Sequence, residues 1–169
     1  MPNNRGKQFE AKFKHDFSLI PGATIDRLYD PVGGYKNIKN VSDFIGYVYP
    51  FIFYLECKSV EGNTFPLVNL TQYDDLLEKK DVKGSLAGVV IWFIDHKKEI
   101  WVSIEEFERI KNLGYKSINI KMLGDNQFNI VEIPGIIKRT FIDADYNILV
   151  GEADKKLQAI LQKEKENGR

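Results

Sequence analysis

The feature of this sequence that most limits its fold is a pair of apolar segments on either side of Tyr49-Pro50. Residues 41–48 and 51–59 are rich in β-branched and aromatic residues, which favour strands. A Tyr-Pro dipeptide between two such segments is typical of a turn. The pattern therefore predicts an antiparallel hairpin, and a turn centred on Tyr49-Pro50 places Asp43 directly opposite Glu56.

The remaining segments alternate between helical and strand character. Phe9, Phe13 and Phe17 recur at helical spacing, and Ser103 with Glu106 forms the pattern of a capping box. Helices are predicted over 5–19, 70–80, 103–114 and about 146–165, with a further possible helix start at Ser117. Strands are predicted over 23–29, 84–93, 99–103 and 128–133, in addition to the hairpin.

These elements predict an α/β fold in which a mixed central β-sheet is flanked by helices. With 169 residues and no linker or repeat, the chain is expected to form one domain spanning 1–169. The single cysteine, Cys57, excludes an internal disulfide and a zinc site of several thiolates. Its strand position predicts that its side chain packs in the core.

Composition also bears on location and partners. The longest apolar run, 86–94, is shorter than the ~18 to 20 residues that cross a bilayer, and the first residues are polar, so a cytoplasmic protein is expected. The 24 basic residues balance 24 acidic ones, so the net charge does not attract nucleic acid. Basic residues are nevertheless concentrated near both ends of the chain.

The candidate catalytic residues lie on the hairpin. Glu56 and Lys58 are two positions apart on a strand and share a face, which Asp43 joins from the opposite strand. Two adjacent carboxylates repel each other, and a hard divalent cation converts that repulsion into attraction. With a lysine beside them, such a pair suits phosphodiester hydrolysis. Glu10, beside the apolar stripe of the first helix, is a third candidate acid. The alternative interpretation is a salt bridge on an exposed hairpin.

At these positions the chain resembles the PD-(D/E)XK nucleases, through Asp43 and Glu56-Cys57-Lys58. The surrounding residues resemble the RecU family of Holliday junction resolvases, and the short segment between Arg27 and Ser42 is similar to a reduced, phage-type form. The motifs that carry this resemblance are Asn4-Arg5-Gly6 with Glu10, Ser42-Asp43, Glu56-Cys57-Lys58, and Asn63-Thr64-Phe65-Pro66-Leu67 with Gln72.

The resemblance implies a PD-(D/E)XK nuclease-like core and a magnesium-dependent endonuclease, with Mn²⁺ as a substitute, that cleaves DNA four-way junctions as a homodimer. The implied catalytic residues are Glu10, Asp43, Glu56 and Lys58. The implied metal-binding positions are Glu10, Asp43, Glu56 and Cys57. The implied phosphate-binding residues are Arg5, Lys7 and Arg27, and Ser42 and Gln72 are implied to bind DNA or to support the site. Two further DNA-binding residues, Lys36 and Lys39, are predicted from their own segment, because two lysines and Tyr35 on a short loop could enter a junction. The alternative for this loop is a solvated surface. Two alternatives stay open: another endonuclease of this superfamily, in restriction or phage DNA processing, or a non-catalytic DNA-binding module of the same fold.

Overall fold

A computed structural model describes residues 4–29 and 39–168 of the chain. Four α-helices lie in these ranges, together with short 3₁₀ turns. The helices are α1 (Arg5–Ser18), α2 (Tyr73–Leu77), α3 (Ile104–Asn112) and α4 (Asn147–Asn167). In the described part of the chain, no helix is both long enough and apolar enough to span a membrane.

The main sheet has six strands, in the order β1, β2, β3, β5, β6, β8. Strands β3 and β5 are parallel and the other pairs are antiparallel, so the predicted mixed sheet is confirmed. Two small two-stranded sheets, β4 with β7 and β9 with β10, complete the set. The strands are β1 (Thr24–Arg27), β2 (Phe44–Val48), β3 (Phe51–Val60), β4 (Thr64–Pro66), β5 (Ser85–Phe93), β6 (Lys98–Ser103), β7 (Ser117–Asn119), β8 (Val131–Glu132), β9 (Gly135–Ile137) and β10 (Ile142–Ala144).

Helices cover both faces of the main sheet. Helices α1 and α4 contribute Phe13 and Leu149 to the apolar cluster on one face, and α2 and α3 contribute Leu76 and Phe107 to the cluster on the other. Strand β5 is buried along its whole length, as its continuous apolar sequence predicts for a strand covered on both sides. The expectation of an α/β sheet flanked by helices is therefore confirmed.

Helix α1 packs closely on the hairpin at Gly46 of β2. A Cβ atom at this position would lie 2.9 Å from the ring of Phe17, closer than real Cβ atoms approach other heavy atoms. The absent side chain lets the Phe17 ring sit directly on the strand, and the ring also packs edge-on against Phe53 with centroids 5.5 Å apart. This contact fixes the position of α1, which carries Glu10, relative to the strands that carry Asp43 and Glu56.

In the second half of the chain, one prediction is wrong and one agrees with the structure only in part. Ser117 begins a strand, not a helix, because the residues from Ser117 to Asn119 pair with β4 and bury Ile118. The predicted strand over 128–133 contracts to Val131–Glu132, at the edge of the main sheet.

Two other elements agree with prediction only in part. The helix predicted over 70–80 contracts to Tyr73–Leu77. The Ser103 cap is confirmed: its hydroxyl oxygen accepts from the Glu106 amide at 3.2 Å, while the Glu106 carboxylate binds Arg109 instead of closing the capping box.

Candidate active site

Asp43 and Glu56 meet where the hairpin of β2 and β3 begins. The outermost strand pair is Phe44 with Leu55, and Asp43 immediately precedes Phe44. The backbone N–H of Asp43 donates to Oε2 of Glu56 at 3.0 Å, and the backbone N–H of Cys57 donates to Oδ2 of Asp43 at 2.9 Å. Each carboxylate is thus held by the backbone of the opposite strand. The predicted opposition of Asp43 and Glu56 is confirmed.

Lys58 completes the charged face of β3. Its Nζ lies 2.8 Å from Oε1 of Glu56, whose side chain is fully buried, while the Lys58 side chain is about a quarter exposed. The thiol of Cys57, between them, is buried in the apolar cluster beneath α1. The predicted core position of the Cys57 thiol is therefore confirmed, and the Cys57 amide contacts Asp43. The place of Cys57 among the metal-binding positions stays a prediction.

Burial and mutual repulsion shape the charges of this group. Burial raises the pKa of Glu56 to about 7, the Asp43 carboxylate adds to the increase, and Lys58 opposes it. Burial likewise raises the pKa of Asp43. For Lys58, burial lowers the pKa, but the Glu56 and Asp43 carboxylates outweigh it and the pKa rises. Because both pKa values are raised, the two carboxyl groups lose their protons less readily than free ones, even with Lys58 beside them. A further cation would stabilise their charged forms.

The Asp43 and Glu56 carboxylates fit a divalent cation. Mg²⁺ prefers oxygen ligands and is commonly held by one or two carboxylates, with water and substrate phosphate completing its shell. Within residues 4–29 and 39–168, no three or more His, Cys, Asp and Glu side chains are gathered to hold a metal ion. The structure thus brings the Asp43 and Glu56 carboxylates together, with the Cys57 backbone beside them.

Glu10 lies near this pair but is held by another residue. Its Oε2 forms an ion pair with Nη2 of Arg27 on β1. Burial raises the pKa of Glu10, the charge of Asp43 raises it further, and the charge of Arg27 lowers it. The Glu10 carboxylate is therefore close enough to Asp43 to sense its charge, and it is paired with Arg27.

A cleft of about 510 Å³ opens beside Asp43. It brings together most of the predicted DNA-binding residues within the described ranges. Its walls are formed by Lys7, Arg27, Leu28, Tyr29, Lys39, Asn40, Ser42, Asp43, Thr71 and Gln72.

Like Arg27, two other predicted DNA-binding residues, Arg5 and Ser42, bind groups of the protein itself. Arg5 pairs with Glu61 at 3.2 Å, on the outside of the cleft. Ser42 is buried, and its hydroxyl donates to the carbonyl of Phe44 at 2.7 Å. The Ser42 hydroxyl, which was predicted to bind DNA or to support the site, therefore forms its hydrogen bond within the hairpin. Lys36 lies outside the described residues.

Gln72 lines the cleft, and its Oε1 accepts from the Thr71 hydroxyl at 2.8 Å. The cleft also contains residues that sequence reasoning missed, chiefly Tyr29, Asn40 and Thr71. The Asn40 side chain donates to the carbonyl of Tyr29 at 2.9 Å and joins two walls. No local pattern marks these residues, because the cleft forms from segments far apart in the chain.

Comparison with known proteins gives one curated relative. The chain is 30% identical over 125 residues to the Holliday junction resolvase RecU of Mycoplasmopsis pulmonis (strain UAB CTIP), covering 73% of this chain and 78% of the relative. No protein-family model matches the chain. A solved structure of Hjc from Archaeoglobus fulgidus, a Holliday junction resolvase, matches with a TM-score of 0.49 and 15% identity, over 68% of this chain and 87% of that chain.

The predicted α/β fold with a mixed central sheet is confirmed, and its charged residues have the arrangement that the resemblance to PD-(D/E)XK nucleases implies. An aspartate beside one strand faces a Glu-x-Lys sequence on the next, and the sheet between the helices is mixed. The similarity to the RecU resolvase of Mycoplasmopsis pulmonis covers most of both chains. This chain belongs to the RecU family of Holliday junction resolvases.

Proposed function

We propose that this chain is a divalent-metal-dependent endonuclease that hydrolyses phosphodiester bonds at DNA four-way junctions. The observation that carries the proposal is the reciprocal hold of Asp43 and Glu56 by opposite strands, with Lys58 Nζ 2.8 Å from Glu56. The relative from M. pulmonis, a Holliday junction resolvase, supports the choice of substrate.

Asp43 and Glu56 are the residues that would hold the cation. Backbone amides position one oxygen of each carboxylate, so the pair needs little reorganisation to accept a metal. Glu10 would contribute, directly or through water, once its carboxylate is released from Arg27. When bound, Mg²⁺ or Mn²⁺ supplies a Lewis acid for the phosphate and makes a water easier to deprotonate.

Lys58 assists at the reacting phosphate. Its ammonium is held beside Glu56 in a partly buried position, where a charge interacts more strongly than in bulk water. From there it orients the attacking water and stabilises the negative charge that develops on the phosphate.

Local cations bind the DNA backbone, because the balanced net charge provides no overall attraction. Lys7, Lys39 and Arg27 line the cleft beside Asp43, and Arg5 lies on the same helix as Lys7. On binding DNA, Arg5 would leave Glu61 and Arg27 would leave Glu10, and each arginine would pair with a phosphate. Such exchange replaces one ion pair by another and is sensitive to salt.

A homodimer is the assembly that this function requires. A four-way junction is resolved by cuts in two symmetry-related strands, and each chain provides one carboxylate pair. Two sites related by a two-fold axis would match the substrate.

The test is cleavage of a synthetic four-way junction beside a duplex of matched sequence, with and without Mg²⁺, together with the protein's mass in solution. We expect metal-dependent cleavage of the junction by a dimer. Equal cleavage of both substrates would instead indicate another endonuclease of the superfamily. Junction binding without cleavage in any divalent metal would indicate a DNA-binding module.

A further inference from the structure

Tyr29 presents an exposed aromatic ring in the cleft that Asp43 lines. Its side chain is 76% exposed, although most large apolar side chains of the chain are buried. Lys7 and Lys39 line the same cleft. An aromatic ring among cations is the combination with which proteins bind unpaired nucleic-acid strands, the cations contacting phosphates and the ring stacking on bases.

The backbone beneath the ring is tied to the catalytic hairpin. The Leu28 amide donates to the carbonyl of Asp43 at 2.8 Å. The side chain of Asn40 donates to the carbonyl of Tyr29 at 2.9 Å. The ring therefore projects from a segment whose position is set by Asp43 itself, and a tyrosine has few rotatable bonds to immobilise when it binds.

Arg27 links the ring to the charged groups. Its guanidinium carbon lies 5.7 Å from the centroid of the Tyr29 ring, within the range of a cation–π contact, and the same guanidinium pairs with Glu10. A ligand at Tyr29 is thus also a neighbour of the acidic site. A base placed against this ring would belong to a nucleotide close to the cleaved phosphate.

We propose that Tyr29 stacks on an unpaired or displaced base at the branch point, and that this contact raises the preference for branched over duplex DNA. In a continuous duplex, neighbouring base pairs cover the face of each base. Where strands exchange, exposing a base face costs less, because stacking is already interrupted. The proposal rests on the proposed junction substrate, and it adds Tyr29 as the residue that distinguishes a junction from duplex DNA.

The experiment compares Tyr29→Ala and Tyr29→Phe with a control, Tyr49→Ala. Tyr49 is 82% exposed in the turn of the hairpin, at the end of β2 remote from Asp43. Each protein is titrated without divalent metal against a junction carrying 2-aminopurine at the branch point, and against a matched duplex. The fluorescence of 2-aminopurine changes when its stacking changes, so it reports a base that leaves its neighbours for the tyrosine ring.

We expect a change in fluorescence on binding wild type, Tyr29→Phe and Tyr49→Ala, and loss of that change with Tyr29→Ala. Junction affinity of Tyr29→Ala should fall about 5- to 150-fold, which corresponds to the ~1–3 kcal/mol of a base–aromatic stack. Its duplex affinity should change much less.

Two results would overturn the proposal in distinguishable ways. If wild type prefers the junction and Tyr29→Ala gives the same fluorescence change and affinity as wild type, the assignment of Tyr29 is wrong while the proposed function stands. If wild type binds junction and duplex equally, the junction substrate fails, and the role of Tyr29 fails with it. Tyr29→Phe retains the ring, so loss of the fluorescence change in that variant also counts against stacking.

Discussion

Arg27 on β1 forms an ion pair with Glu10 on α1, so the acid nearest to the Asp43–Glu56 pair is held by a cation from a different element. This contact gives Arg27 two possible partners, an acid of the protein and a phosphate of DNA. In the proposed function, the charge of the candidate site would therefore depend on whether Arg27 pairs with Glu10 or with a phosphate.

Asp43→Asn should abolish cleavage while junction binding is kept or improved. The amide oxygen can still accept from the Cys57 amide, but the variant loses a metal ligand and a negative charge near the phosphate. Single-turnover cleavage and metal-free binding measure the two effects. Asp26→Asn removes an exposed acid on β1 and serves as the control. Substantial Mg²⁺-dependent cleavage by Asp43→Asn would contradict the assignment.

Lys58→Met should slow the chemical step by about 100-fold or more, the usual scale for a group that assists proton transfer or stabilises charge. The substitution retains the length of the side chain and removes its charge, so junction affinity should change little. Lys121→Met, at an exposed lysine that lies outside the hairpin and does not line the cleft, provides the comparison. An unchanged single-turnover rate would make Lys58 a structural residue.

Removing Arg5 and Lys7 together should weaken binding to junction and duplex alike. The slope of log affinity against log salt should become shallower by about one for each phosphate that the variant no longer binds. Because Arg5 pairs with Glu61 in the free protein, its share of the affinity is expected to be smaller than that of Lys7. Titrations over a range of salt concentrations measure both quantities, and an unchanged slope would show that neither residue binds a phosphate.

The buried Glu99 should make the protein less stable as pH rises. Burial raises its pKa from 4.5 to about 7, although the Tyr146 hydroxyl donates to its carboxylate and opposes the shift. The folded state therefore holds the proton more tightly than the unfolded state does. The stabilising contribution is complete below pH 4.5 and is lost as pH rises to about 7.

The loss attributable to Glu99 amounts to about 3 kcal/mol in the free energy of unfolding. Glu99→Gln should remove this part of the pH dependence, as measured by urea unfolding at pH values on both sides of that interval. Glu132→Gln, at an exposed acid, should retain it. Identical pH profiles for wild type and Glu99→Gln would contradict the prediction.

Gly46→Ala should destabilise the protein by about 1–3 kcal/mol, the usual cost of overpacking a core. The new methyl group would lie 2.9 Å from the Phe17 ring, so α1 or the ring must move. Gly6→Ala, on the exposed side of α1 with no atom within 4 Å of the added carbon, should leave stability unchanged or slightly improved. Equal unfolding free energies for the two variants would exclude the close packing of α1 on the hairpin.

The hairpin and the core of the candidate site could be predicted from local spacing in the sequence. Strand side chains alternate strictly, and the turn at Tyr49-Pro50 sets the register, so the opposition of Asp43 and Glu56 and the shared face with Lys58 follow from local spacing. The first helix and the buried strand β5 were likewise predictable, because their apolar patterns are long and regular. That residues 1–169 form one nuclease domain stays a prediction.

The groups that reach this site from distant parts of the chain could not be predicted, because long-range packing of the fold brings them together. Glu10 meets Arg27, and Tyr29 meets Asn40, through the packing of α1 and the arrangement of neighbouring strands, which no local spacing encodes. The same reason explains the error at Ser117, where pairing with β4 overrides a local preference for helix. Side chains brought together by long-range contacts depend on the whole fold, whereas residues within one hairpin depend on strand geometry alone.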